Sequence, residues 1–204
     1  MERRYVSAAV SGIALRDSGD QSGQIHGYGA VYYDGTPNTE YELWPGMVER
    51  IMPGAFARAV NQKDDARALF NHDTNMVLGR VSAGTLRLFD DNRGLRYEID
   101  PGDTSVYRDV SAFIQRRDVQ GSSFAFLVTD EDGKKENGLR IRQIRGVKLF
   151  DVGPVTFPAY DATSTGLRAR GEMADAKAFF DRWEADERRR RAAVVAGAKI
   201  RLAN

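Results

Sequence analysis

The chain of 204 residues contains no cysteine and only two histidines, His26 and His72. The missing thiols exclude disulfide bonds, cysteine-ligated zinc, iron–sulfur clusters and a cysteine nucleophile, and two imidazoles leave few ways to build a histidine metal site. An excess of charge of one sign is also missing, because 30 basic residues oppose 29 acidic ones and leave a formal net charge of +1. A protein that coats duplex nucleic acid needs many unopposed cations, so this balance argues against that class.

Long hydrophobic runs are absent as well. No stretch approaches the roughly 18 consecutive apolar residues of a membrane span. The first residues, Met-Glu-Arg-Arg-Tyr, are not followed by the apolar segment of a secretory signal. We therefore expect an intracellular, soluble protein that contacts no membrane and works with ordinary side chains.

The sequence pattern divides the chain into three parts. Residues 1–24 are mixed and polar, which is typical of a flexible arm. From 25 to 165, short strand-like runs alternate with turn residues, a pattern that favours a β-barrel or sandwich. Residues 166–204 begin with a predicted linker at 166–171 and continue, from 172 to about 196, as a predicted charged helix.

The middle part contains seven predicted strands and two predicted helices. The strand predictions are 27–33, 66–71, 85–89, 95–99, 122–129, 140–144 and 147–157, with turn residues between them, among them Asp-Glu-Asp-Gly at 130–133. The helix predictions are 53–62, which opens on a Pro-Gly pair, and 104–117, whose apolar residues recur on one helical face. These elements predict an α+β fold that is mainly β.

An imidazole lies at the end of the second predicted strand, in the motif Asn-His-Asp at 71–73. In that position His72 can take up and return a proton near neutral pH, as a general base does. The alternative is a histidine that only caps the strand by bonding a backbone carbonyl.

Two adjacent serines begin the run at 122–128. Since side chains alternate along a strand, Ser123 lies with Ala125 on the face opposite to the aromatic residues of the run. Small side chains on that face predict an open surface that a substrate backbone can approach. The alternative is a pair of serines that only starts the strand.

A carboxylate, Asp151, interrupts an otherwise apolar predicted strand. Its burial is costly unless it has a partner, and either protonated His72 or one of the many arginines between 80 and 145 would provide one. A hydroxyl, an imidazole and a carboxylate on three strands form the set that a serine hydrolase uses as nucleophile, general base and orienting group.

In their order, several motifs resemble the prohead protease family of tailed phages and related particles. They are Gly-Tyr-Gly-Ala-Val-Tyr-Tyr at 27–33, Pro-Gly-Ala-Phe at 53–56, Asn-His-Asp at 71–73, Ser-Phe-Ala-Phe at 123–126 and Asp-Val-Gly-Pro-Val-Thr-Phe-Pro-Ala at 151–159. The resemblance covers about residues 25–165. It implies a serine endopeptidase with a fold like that of herpesvirus assemblin, an antiparallel β-barrel surrounded by helices.

The resemblance also implies the site residues. His72 is the implied general base and Ser123 the implied nucleophile, although Ser122 beside it leaves two candidate hydroxyls. The herpesvirus relatives use a second histidine on a later strand, and this chain has no histidine after His72. The phage members tend to carry an acidic residue there, which implies Asp151. No metal or cofactor is implied.

The implied task is cleavage of scaffold, or of the scaffold-like arm of the major capsid protein, inside the immature procapsid in the host cytoplasm. Self-association and trimming of the tail by the protein itself belong to the same expectation. Two other functions stay open: a non-catalytic assembly factor that binds capsid protein, and nucleic-acid binding through four arginines at 188–191, whose acidic neighbours oppose it.

Overall fold

The computed structural model of the chain describes residues 1–17, 23–157 and 170–202. The chain forms two compact units, Met1–Gly166 and Leu167–Asn204. All three predicted site residues belong to the first unit.

The described part of the chain contains eleven strands and four α-helices. The strands are β1 (Glu2–Val6), β2 (Ala14–Arg16), β3 (Gln24–Val31), β4 (Tyr41–Trp44), β5 (Met47–Ile51), β6 (Arg67–Leu69), β7 (Val77–Arg80), β8 (Leu86–Asp90), β9 (Gly94–Ile99), β10 (Gly121–Glu136) and β11 (Leu139–Val155). The helices are α1 (Ala8–Ser11), α2 (Ala57–Asn61), α3 (Ser105–Gln115) and α4 (Arg170–Leu202). A 3₁₀ turn covers Pro37–Thr39.

The strands form two sheets. In the first, β1, β10, β11, β5 and β4 lie side by side in that order, and β6 and β7 extend the sheet from another part of β11. In the second, the order is β2, β3, β9 and β8. The pairings are antiparallel except those of β11 with β5 and with β6, which are parallel.

The predicted α+β class is confirmed, but the predicted barrel is not what the strands form. Within the ranges 1–17, 23–157 and 170–202, no strand pairing joins one sheet to the other, so the sheets do not close into a barrel. The apolar faces of the two sheets are buried against each other instead, and one cluster of buried side chains draws on both. The chain therefore buries the apolar side chains of its strands by packing one sheet against the other, and not by closing a single sheet into a barrel.

The aromatic face of β10 lies in this core. The rings of Phe124 and Phe126 stack with their centroids 4.7 Å apart, and Phe56 packs edge-on against Phe124 at 5.4 Å. Tyr97 of the second sheet is fully buried in the same cluster. Because the alternation along β10 is the predicted one, Ser123 lies on the opposite face of the first sheet.

The N-terminal segment is part of the sheets, so the predicted flexible arm is wrong for the residues described there. β1 pairs with β10 along its whole length, and β2 pairs with β3. Buried charges fasten β1, since Arg4 Nε donates to Glu49 at 2.6 Å and Arg142 donates to Glu2 at 2.7 Å. The polar composition that predicted an arm reflects these buried ion pairs. Residues 18–22 lie outside the described ranges.

Glu49 is the centre of this charge cluster, and its removal should destabilise the fold. Its carboxylate is fully buried and accepts hydrogen bonds from Arg4 and Arg142. Loss of that charge leaves two buried guanidinium groups short of a partner, so we expect Glu49→Gln to lower the free energy of unfolding by about 3–5 kcal/mol. Chemical denaturation measures this, with Asp109→Asn on the exposed side of α3 as the control. An unchanged denaturation midpoint for Glu49→Gln would show that β1 does not depend on the cluster.

The C-terminal unit contains the predicted charged helix. α4 extends beyond the predicted helix at both ends, and residues 170–171 of the predicted linker belong to it, while residues 158–169 lie outside the described ranges. Each arginine at 188–191 lies within 3.8 Å of a carboxylate one turn earlier on the helix, so these cations are not unopposed. No helix in the described ranges is both long and apolar enough to cross a membrane.

Candidate active site

The ring of His72 joins the other two predicted site residues. Its Nε2 lies 2.6 Å from Ser123 Oγ, and its Nδ1 lies 2.6 Å from Asp151 Oδ1. His72 lies on the turn after β6, whereas Ser123 and Asp151 lie on β10 and β11. The structure therefore brings the hydroxyl, the imidazole and the carboxylate into one hydrogen-bonded chain.

The register of β10 and β11 places the hydroxyl and the carboxylate on the same face. Ser123 is opposite Gly153, and Ala125 is opposite Asp151. Residues directly opposite each other in an antiparallel ladder share a face, and so do residues two apart along one strand. Ser123 and Asp151 thus project from the same side of neighbouring strands, and the imidazole bridges them.

Gly153 allows the segment before His72 to lie against this part of the sheet. A Cβ at Gly153 would lie 2.4 Å from the carbonyl oxygen of Leu69, which is far inside the contact distance. β6 runs parallel to β11 there, with Ala68 beside Val152. A side chain at position 153 would therefore displace the strand that ends just before His72.

The two adjacent serines project to opposite faces. Ser122 Oγ lies 2.7 Å from Ser11 Oγ and 2.8 Å from Tyr97 Oη, in the buried space between the sheets. Burial raises the pKa of Tyr97 and outweighs the lowering effect of the hydrogen bond with Ser122, so this phenol stays protonated. Ser122 thus joins α1, β9 and β10, while Ser123 contacts the imidazole.

Asp151 has the imidazole and not an arginine as its partner. The side chain of Asp151 is 7% exposed, and His72 Nδ1 lies 2.6 Å from its Oδ1. Among the residues that the structure describes, no arginine lies within ion-pair distance of Asp151. The sequence left either an arginine or His72 as the partner of Asp151, and in the structure the partner is His72.

The face that carries Ser123 is covered, contrary to the predicted open surface. Ser123 is 1% exposed and Ala125 is fully buried. One reason is β1, which places Tyr5 directly opposite Ser123 and edge-on to the His72 ring, with 5.8 Å between the ring centroids. Ser123 is therefore almost entirely shielded from solvent on this face.

The side chains of the described ranges also bear on metal binding. There, no three side chains of histidine, aspartate and glutamate lie together as a metal-binding group would require. The candidate site itself contains three hydrogen-bonded side chains. A serine whose hydroxyl faces a buried imidazole, with a carboxylate behind it, can act as a nucleophile towards a carbonyl carbon.

Comparison with known proteins agrees with the motifs. The family of caudovirus prohead serine proteases matches residues 12–177, which is more than half of the chain. The solved structure of the bacteriophage T4 capsid assembly protease, gp21, is similar over 76% of this chain and 99% of that chain, with 15% sequence identity and a TM-score of 0.41. None of the curated proteins matches this chain. The family match confirms the predicted resemblance: the chain belongs to the caudovirus prohead serine protease family.

Proposed function

We propose that this serine protease cleaves scaffold, or the scaffold-like arm of the major capsid protein, inside the immature procapsid in the host cytoplasm. The family membership supports the choice of substrate class. The observation that carries the proposed catalytic assignment is the chain of two 2.6 Å contacts that links Ser123, His72 and Asp151.

In the proposed mechanism, Ser123 Oγ attacks the scissile carbonyl carbon while His72 Nε2 accepts the hydroxyl proton. Because Nε2 must be free to accept, the neutral ring carries its own proton on Nδ1, and this N–H donates a hydrogen bond to the Asp151 carboxylate, which stays ionised. The imidazolium that forms then donates its Nε2 proton to the leaving amine as the C–N bond breaks. A water oxygen attacks the ester that remains on Ser123 while His72 Nε2 takes the water proton, and His72 returns that proton to Ser123 Oγ as the C–Oγ bond breaks and the new carboxyl terminus leaves.

Asp151 has two tasks in this mechanism. Its carboxylate holds the proton of the ring on Nδ1, and its negative charge stabilises the imidazolium that forms during attack. Burial strengthens the second effect, because a charge interacts more strongly where water is excluded. Asp151 is therefore proposed as the orienting member of the triad.

Incubation of the purified protein with its capsid protein tests the proposed function. We expect the wild-type protein to remove a terminal arm, seen by mass spectrometry as two defined fragments, and Ser123→Ala to leave the capsid protein intact. A wild-type protein that binds the capsid protein stably and never cuts it would support the alternative, a non-catalytic assembly factor, and overturn the proposal.

Asp151→Asn separates the triad from a purely structural carboxylate. The amide keeps the shape and a hydrogen-bonding oxygen but loses the charge, and in a well-studied serine protease the same change lowers kcat by about 10⁴. We expect a loss of that order, measured with a peptide that spans the mapped cleavage site, and a melting temperature close to that of the wild type. A variant that melts early and still cleaves at the wild-type rate would assign Asp151 to the scaffold of the fold.

Trimming of the tail is the second part of the proposal. α4 belongs to a different compact unit from Ser123, so its removal would leave the unit with the triad whole. We expect the wild-type protein, and not Ser123→Ala, to lose C-terminal residues by cutting between about Leu167 and Ala185. This window begins at the boundary between the two units, where proteolysis is favoured, and the part of it that lies in α4 has to open before it can be cut. Intact mass spectrometry after storage measures this. Equal trimming of both proteins would assign the cut to another protease.

A further inference from the structure

The turn that presents His72 has an unusual backbone. φ is 54° at Asn71 and 58° at His72, so two consecutive residues with side chains adopt the left-handed conformation. A positive φ is uncommon for any residue with a side chain, although asparagine and histidine are among those that adopt it more often. Such conformations persist only where the surrounding structure holds them.

The side chain of Asn71 fastens this turn to the end of β11. Its Nδ2 donates to Thr156 Oγ1 at 2.9 Å, and its Oδ1 accepts from the Thr156 N–H at 2.8 Å. The backbone N–H of Asn71 donates to the Pro154 carbonyl at 3.1 Å. Thr156 directly follows the last residue of β11, so the strand that carries Asp151 also holds the turn that carries His72.

The contact between Ser123 and His72 cannot hold the imidazole through the whole reaction. It is lost when Ser123 Oγ becomes part of the ester, just when the ring has to deliver one proton and take another. A displacement of about 1 Å at such a moment costs up to about 10² in rate. The three bonds of Asn71 involve no reacting atom, so they act in every step.

We propose that Asn71 is a positioning residue, which acts through Thr156 to keep the His72 ring aligned with Ser123 and Asp151 after the ester has formed. The inference rests on the proposed catalytic role of His72. It concerns the side-chain bonds of Asn71 and not only its tolerance of a positive φ.

Three substitutions at position 71 separate the side-chain hydrogen bonds of Asn71 from its tolerance of a positive φ. Asn71→Gly removes the side-chain bonds but still adopts the left-handed backbone readily, whereas Asn71→Ala removes the bonds and also disfavours that backbone. Asn71→Asp keeps an oxygen that can accept from the Thr156 N–H and from its hydroxyl. Asn75→Ala is the matched control, since the Asn75 side-chain amide donates to Asp73 of the same turn and, within the described ranges, to no other side chain. Thr156→Val removes the hydroxyl that accepts from Asn71 Nδ2, so it tests the same hydrogen bond if a variant at position 71 fails to fold.

We expect Asn71→Gly and Asn71→Ala to lower kcat by up to about 10² with KM nearly unchanged, because the chemical step and not binding is affected. Asn71→Asp should recover most of kcat, Asn75→Ala should keep it, and Thr156→Val should lose part of it. In the His72→Ala background, Asn71→Gly should cause no further loss. Wild-type kcat in Asn71→Gly, or equal losses in Asn75→Ala, would overturn the inference.

The ring itself can be observed, because the chain has only two histidines. In NMR spectra of protein with isotope-labelled histidine, we expect Asn71→Gly to change the tautomer signals of His72 and to leave those of His26 as they are. If Asn71→Gly changed neither the His72 signals nor kcat, the positioning role of Asn71 would be rejected, and the proposed catalytic role of His72 would not be affected. Cleavage by Ser123→Ala would instead reject the proposed catalytic mechanism, so the two failures are distinguishable.

Discussion

The Ser123→Ala protein should cut its capsid protein at no measurable rate and should fold as the wild type does. The change removes one hydroxyl, and in a serine protease of known mechanism the loss of the nucleophile lowers kcat by about 10⁶. Coexpression with the capsid protein and mass analysis of the products measure the effect. A thermal melt of the purified variant is the control for folding.

Ser122→Ala is the matched variant. Its hydroxyl contacts Ser11 and Tyr97 in the space between the sheets, so its loss leaves buried hydroxyls with fewer partners and costs about 1–3 kcal/mol of stability. We expect this protein to melt earlier and still process the capsid protein. Cleavage by Ser123→Ala together with none by a folded Ser122→Ala would move the nucleophile to Ser122.

His72→Ala should lower kcat by an amount similar to Ser123→Ala, about 10⁶, because the hydroxyl attacks only as its proton leaves. Residues that act as one catalytic unit are strongly non-additive, so the variant without both side chains should be little worse than either single variant. His26→Ala is the control, since His26 lies on β3 in the other sheet.

Measuring kcat of the two single variants and of the double variant, with a peptide that spans the mapped cleavage site, distinguishes catalysis together with Ser123 from an independent role of His72. If the losses from His72→Ala and Ser123→Ala multiplied, His72 would act independently of the hydroxyl, for example in substrate binding. A wild-type rate in His72→Ala would remove it from the mechanism. Parallel thermal melts show that the rates compare folded proteins.

Much of the candidate site could be predicted from short-range patterns. Alternation along one strand separates the face of Ser123 from the aromatic face that lies in the core, and a carboxylate within an apolar strand requires a partner. That His72 is this partner could not be predicted, because many arginines were equally available until the strand order was known. The positioning contact between Asn71 and Thr156 was missed for the same reason, since it joins residues that are far apart along the chain.

Turn positions were less predictable. The acidic stretch at 130–133 predicted a turn, but β10 continues through it with register shifts beside Asp130. The hairpin turns instead at Asn137 and Gly138, which have φ values of 51° and 79°. Asn-Gly is a strong hairpin signal, and it outweighs a longer polar stretch whose side chains can remain at the surface of a strand.

The N-terminal strand was hidden by its charges. Glu2 and Arg4 face inwards in β1 because Glu49 and Arg142 neutralise them, and no local pattern reveals partners that are so distant in sequence. The cover over Ser123 was unpredictable for the same reason, since Tyr5 reaches the site only when β1 pairs with β10.

The most direct test of Ser123 as the nucleophile is its reaction with an organophosphorus fluoridate, in a preparation that is cutting capsid protein. Oγ would form a bond to phosphorus as the phosphorus–fluorine bond breaks, with fluoride leaving and the hydroxyl proton passing to His72. We expect one adduct per chain, mapped by peptide mass to Ser123, loss of cleavage in proportion to labelling, and no adduct in His72→Ala. An adduct on Ser122, or continued cleavage by fully labelled protein, would contradict the assignment.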